Sequence, residues 1–168
     1  ELIFADLQMV ENALPRAEKA ARKRDAESLA RLSVLQKAMP ILSEGQPVRG
    51  IELSGAEEQK ALKGLAMLSA KPVLYVANVD EEDATGEGKL SSQVRAHAES
   101  VGAQFVPVCA RIEAELAQMD EADRAGMLES LGLSEPALHK LARAAYTLLG
   151  LQSFYTAGEK EIRAWTVR

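Results

Sequence analysis

Apolar residues recur at three- and four-residue steps through the first 44 positions. Leu2, Ile3, Leu7, Val10, Leu14, Ala17 and Ala21 form one such series, and Leu29, Leu32, Leu35, Met39 and Leu42 a second. This period predicts two amphipathic helices. The polar, cationic stretch Arg22-Lys23-Arg24-Asp25 between them predicts an antiparallel hairpin, with Asp25 as N-cap of the second helix. Pro15 and Pro40 lie inside the two patterns and are expected to kink or interrupt them. Gly45-Gln46-Pro47 closes the hairpin. A third helix is expected over 54–68, opened by a capping box from Ser54 to Glu57.

The pattern changes at Lys71. Pro72-Val73-Leu74-Tyr75-Val76-Ala77 is a short, nearly continuous apolar run, as in a parallel strand buried on both faces. A polar loop and a helix near 91–100 follow, and Gly102 ends that helix. Gln104-Phe105-Val106-Pro107-Val108-Cys109 is a second such run. Helices are expected at 112–118, 121–131 and 134–149, then β-like stretches at 154–156 and 162–167. Strand–helix–strand at this spacing implies a βαβ unit with parallel pairing. The fold class is therefore mixed α/β, mostly helical.

Composition adds limits. Hydrophobic residues make up 47% and charged residues 27% of the 168 positions, ordinary globular values that disfavour disorder. A net charge of −5 provides no general basic footprint, so DNA is not an expected partner and any RNA contact needs a local basic stretch. Arg16, Lys19, Arg22, Lys23 and Arg24 form that stretch. A solvated helix face is the default reading of them, but they are the best candidates for meeting anionic RNA. The single cysteine, Cys109, permits no internal disulfide, and with no signal peptide this favours the cytoplasm. No apolar run approaches the ~20 residues of a membrane span. The chain starts at Glu1 without a methionine and stops at Arg168 inside a strand pattern, so both ends read as cut from something longer.

Ligand-binding loops of parallel α/β sheets sit at the carboxyl ends of strands. Two loops qualify: Asn78-Val79-Asp80-Glu81 and Cys109-Ala110-Arg111. The first has the form Asn-x-x-acid, related to the Asn-Lys-x-Asp loop with which nucleotide-binding domains read guanine. Here Val79 replaces the Lys and Glu81, one methylene longer, the Asp. A base bound there need not be guanine, and backbone groups are able to do the reading. A polar loop capping a strand explains the same residues. The second loop is a loose match to Ser-Ala-Lys, while Cys109 also reads as a small buried hydrophobe. Gly86-Glu87-Gly88-Lys89-Leu90-Ser91 imitates a phosphate loop but has Asp83 where the first Gly belongs, and it lies among Glu81, Glu82, Asp83 and Glu87. It reads as a flexible solvated loop. His97 and His139 lack partners at metal-ligand spacing and read as packing or surface residues.

Several segments together resemble the YchF (Obg-like ATPase) family of P-loop proteins. They are Leu74-Tyr75-Val76-Ala77-Asn78-Val79-Asp80-Glu81, Val106-Pro107-Val108-Cys109-Ala110, Glu113-Ala114-Glu115-Leu116, Leu131-Gly132-Leu133, and Tyr146-Thr147-Leu148-Leu149-Gly150-Leu151-Gln152. The most specific is Tyr155-Thr156-Ala157-Gly158-Glu159-Lys160-Glu161-Ile162-Arg163-Ala164-Trp165-Thr166, which looks like the family's lead into its TGS domain. Glu1-Leu2-Ile3-Phe4-Ala5-Asp6-Leu7 is similar to the start of its helical insertion. The resemblance implies three parts: 1–70, a helical coiled-coil hairpin insertion; 71–150, the C-terminal part of the nucleotide-binding domain and its parallel sheet; 151–168, the start of the TGS domain. It implies a cytoplasmic, ribosome-associated nucleotide hydrolase preferring ATP, with GTP as the alternative. Asn78, Val79, Glu81, Cys109, Ala110 and Arg111 would form its base site. The phosphate loop and Mg²⁺ ligands would lie before Glu1, so the segment alone is expected to be non-catalytic, with no catalytic or metal-binding residue of its own. A competing reading is a non-catalytic module whose helical hairpin binds RNA or protein.

Overall fold

A computed structural model describes residues 1–158 and 161–168. Glu159 and Lys160, part of the stretch likened to the TGS lead, lie outside the described residues. The chain divides into two compact units, Glu1–Lys71 and Pro72–Arg168.

The first unit is helical. Helix α1 (Leu2–Ala21) and α2 (Ala26–Ser43) pack as a hairpin, and α3 (Ala56–Leu65) packs on α2. Asp25 caps α2 as expected, its carboxylate accepting from the Ser28 amide at 2.9 Å. The two prolines do not break their helices: α1 runs through Pro15 and α2 through Pro40. Each removes one backbone donor, but Val10, Ala17, Leu35, Ala38 and Leu42 bury on either side of them in one core with Val34, Val48, Leu65 and Met67. That burial holds the helices together across the gap.

The expected capping box is displaced. The N-cap of α3 is Gly55, and the carboxylate reaching back to the Ser54 amide is that of Glu58, at 2.6 Å, rather than Glu57. Glu58 also accepts from Ser33 Oγ at 2.6 Å and Lys37 Nζ at 2.7 Å. Lys37, then Ser33 and the Ser54 amide, hold its carboxyl at a pKa of about 2, down from 4.5. The helix ends at Leu65, short of the expected 68, because Ala66 turns left-handed at φ 52°. Beyond it, buried Asp6 accepts from the amides of Leu68 at 2.9 Å and Ser69 at 2.6 Å, tying the start of α1 to the end of the unit.

The second unit contains a parallel pair, β1 (Leu74–Asn78) and β2 (Gln104–Val108), in register from Leu74 opposite Gln104 to Asn78 opposite Val108. The crossover is α4 (Lys89–Ser100), and α4 and α7 (Ala137–Leu149) pack against the strands. The expectation that β1 is buried on both faces is not met: Val76 is 48% exposed and Asn78 is exposed. Among the described residues β1 pairs only with β2, so the sheet is too narrow to cover it. Two short helices, α5 (Ala110–Leu116) and α6 (Glu121–Ser130), follow β2. Cys109, Ile112 and Leu116 make a small core there with Val79, Ala84, Met119, Met127, Leu128 and Leu131. An antiparallel hairpin, β3 (Gln152–Ala157) with β4 (Ile162–Val167), completes the chain and leaves Phe154, Tyr155, Ile162 and Trp165 exposed. No helix among the described residues is long and apolar enough to cross a membrane.

Candidate nucleotide-base site

Asn78 is the last residue of β1 and Val108 the last of β2, and the two are register partners. The chain on both sides then leaves the sheet at the same end. The Val79 amide donates to the Val108 carbonyl at 3.0 Å, extending the pairing one residue into the loops. This brings all six expected residues, Asn78, Val79, Glu81, Cys109, Ala110 and Arg111, to the walls of one cavity of about 560 Å³. Asp80 and Glu82, acids of the same loop that the sequence reading did not assign to the base, also line it. That volume lies within the ~300–1,000 Å³ usual for small-molecule sites.

The walls differ in chemistry. Val79 and Cys109 belong to the small apolar core beneath, and Cys109 is buried at 5% exposure, matching its reading as a small hydrophobe. Asn78, Glu81, Ala110 and Arg111 are exposed and line the mouth. Arg111 Nε lies 2.9 Å from Glu81 Oε1, linking the two loops, and 3.6 Å from Glu115 Oε1 one helical turn on. The i,i+4 spacing of Arg111 and Glu115 was a readable signal for the second contact; the first required knowing that the loops meet.

The loop after Glu81 is more ordered than a flexible solvated loop. Asp83 accepts from the Gly88 amide at 2.6 Å and from Ser91 Oγ, so a carboxylate already occupies the start of α4. Ser91 and the Gly88 amide hold the Asp83 pKa below its ordinary value. Gly86, at φ +72°, packs so closely that a Cβ would sit 2.8 Å from the Pro107 ring. Arg95 Nη2 donates to the Gly86 carbonyl at 2.9 Å. The phosphate-loop imitation is thus filled from within.

Behind the site, buried Glu113 of α5 accepts from the amides of Ala137 at 2.6 Å and Leu138 at 3.4 Å, at the N-terminus of α7. His97 stacks edge-on against Tyr75 with ring centroids 5.3 Å apart and lies 3.1 Å from its hydroxyl. The expected RNA-contact residues Arg16, Lys19, Arg22, Lys23 and Arg24 lie on the last turns of α1 and in the turn after it, and all are exposed.

The residues at the cavity fit a planar base: an apolar floor, an amide side chain and backbone groups at two strand ends. They do not fit a triphosphate with Mg²⁺. Three of the lining residues are carboxylates against one guanidinium, and no cluster of three metal-ligating side chains exists among the described residues.

A cavity at the carboxyl ends of a parallel strand pair puts the chain in the broad class of α/β proteins whose ligand sites lie at strand ends. Comparison with known proteins narrows it. No family model matches the chain. The chain is 43% identical over 167 residues to the "Ribosome-binding ATPase YchF" of Escherichia coli O157:H7, covering 99% of this chain and 46% of that protein. It is 38% identical over 171 residues to the protein of the same name from Bacillus subtilis, covering 100% and 46%. Its fold superposes on the solved structure of the Schizosaccharomyces pombe YchF GTPase with a TM-score of 0.85 and 26% identity, covering 100% of this chain and 46% of that one. Over its whole length the chain is thus similar in sequence and fold to YchF proteins. It spans about half the length of the curated relatives it matches.

Proposed function

We propose that the whole protein is a ribosome-associated P-loop nucleotide hydrolase and that this segment supplies its base-recognition loops and helical insertion. The observation that carries this reading is the convergence of the 78–81 and 109–111 loops on one cavity. In it, Asn78, Val79 and Glu81 meet Cys109, Ala110 and Arg111 around the base of ATP. ATP is favoured over GTP because Val79 and Glu81 replace the Lys and Asp of a guanine-reading loop. The phosphates and Mg²⁺ are held by other residues of the whole protein, since phosphoryl transfer depends on positioning them and these side chains do not. Residues 1–70 act as the hairpin insertion, 71–150 as the C-terminal part of the nucleotide domain, and 151–168 as the start of a TGS domain. The protein works in the cytoplasm, where ribosomes are.

A second reading draws on one observation. Arg16, Lys19, Arg22, Lys23 and Arg24 are all exposed and crowd one end of the helical hairpin. In that reading the hairpin is a non-catalytic module that binds RNA or protein. The two are separated by measuring ATP and GTP binding and hydrolysis by the full-length protein, with and without ribosomes. ATP turnover that responds to ribosomes supports the first; ribosome binding indifferent to nucleotide, with no turnover, supports the second.

A further inference from the structure

The Asn-x-x-acid pattern assigns the base-reading role to the acid, Glu81. Its carboxylate, however, is already engaged: Oε1 lies 2.9 Å from Arg111 Nε. A carboxylate reads guanine with both oxygens, one to the N1–H and one to the 2-amino group. Glu81 would have to share Oε1 between the base and Arg111 to do so. Arg111 also lies within reach of Glu115, at 3.6 Å, so its guanidinium is held between two carboxylates. It is the one basic side chain among the residues lining the cavity, and 76% of the side chain is exposed. A guanidinium plane fixed in this way at the mouth of a base-sized cavity is suited to lie on a base face, as arginines do on unstacked bases. Val79, half-buried in the small core, supplies an apolar wall of the same cavity.

Resting on the base-site reading above, we propose that Arg111 is the base-stacking residue of this cavity and that Glu81 is a positioning residue that acts through Arg111 rather than on the base. Every base has a π-face, so stacking of this kind tolerates sequence and base identity. Arg111 therefore adds affinity for ATP and GTP alike, and discrimination between them comes from other groups. Glu81 lends nothing once Arg111 is gone. Because the Glu81–Arg111 pair is exposed, Glu81 contributes only a small part of the effect.

The test is a double-mutant cycle in the full-length protein, read by calorimetric titration with ATP and with GTP. Arg111→Ala weakens both by the same factor, about three- to thirtyfold, the range of a cation–π contact at a partly desolvated site. Arg111→Lys, which keeps the charge and loses the plane, falls between the alanine variant and wild type. Glu81→Gln alone weakens both about two- to threefold and has no effect in the Arg111→Ala background. Unchanged affinity in Arg111→Ala, full recovery in Arg111→Lys, or a changed ATP-to-GTP ratio on adding Glu81→Gln to Arg111→Ala overturns the proposal. Failure of the wild-type protein to bind either nucleotide overturns instead the base-site reading on which it rests. The variants are exposed substitutions, and circular dichroism verifies that each is folded.

Discussion

Glu113 offers the sharpest link between the site and the structure behind it. It belongs to α5, the helix that begins at the cavity wall with Ala110, and its buried carboxylate closes the N-terminus of α7. Pro136, the N-cap of α7, has no side-chain oxygen to offer the free amides, so Glu113 does the capping from 24 residues away. Replacing a capping side chain with alanine costs about 0.5–2 kcal/mol. Loss of a negative charge at a helix N-terminus costs roughly a further 0.3–1 kcal/mol. The Ala137 bond at 2.6 Å is full strength and the Leu138 bond at 3.4 Å is weak, so the effects sum to about 2 kcal/mol for Glu113→Ala. At 1.4 kcal/mol per decade this is roughly a thirtyfold larger opening equilibrium for α7. Amide hydrogen exchange reads it directly: protection in the first turns of α7 falls about thirtyfold. Glu113→Gln keeps one acceptor oxygen and gives an intermediate loss. Protection of α7 within twofold of wild type in Glu113→Ala would refute the capping role.

The remaining predictions concern other parts of the chain. Asp6→Ala strips two amides, those of Leu68 and Ser69, of a buried acceptor, and lowers the stability of the helical unit by about 3–5 kcal/mol in urea unfolding, with Asp6→Asn between it and wild type. The folded pKa of Glu58 lies below its ordinary value, so its stabilisation is complete above pH 4.5 and is lost as pH falls through about 2. The denaturation midpoint of the wild type should therefore approach that of Glu58→Gln as pH falls from 4.5 to below 2; a difference that stays undiminished over that range contradicts the assignment. Asn78→Ala in the full-length protein weakens nucleotide binding by about 1–3 kcal/mol, the scale of a lost buried hydrogen-bond partner, and unchanged affinity by calorimetry counts against its place in the site.

Much of the architecture is legible in the sequence where local chemistry decides it. Asp25 caps α2 because Asp followed by a helical pattern is a local signal, satisfied by Ser28 three residues on. The two apolar runs give β1 and β2 because each is short, apolar and followed by a polar loop. Where distant contacts decide, local rules mislead. Pro15 and Pro40 sit in unbroken helices because core burial outweighs one missing hydrogen bond. Glu58 rather than Glu57 reaches the Ser54 amide because Ser33 and Lys37 of α2 fix it there. The candidate site was legible as two strand-end loops, since parallel register brings such loops together. The Glu81–Arg111 pair was not, because its partners lie 30 positions apart and meet only once that register is set.

The most direct test of the account is to locate the base. The full-length protein is labelled with a photoreactive adenine nucleotide such as 8-azido-ATP, in the presence of Mg²⁺, and the modified residues are mapped by mass spectrometry. Labelling confined to the two loops, at 78–82 and 109–111, and abolished by excess ATP, is the predicted result. Competable labelling elsewhere in the protein, with these loops untouched, would contradict it.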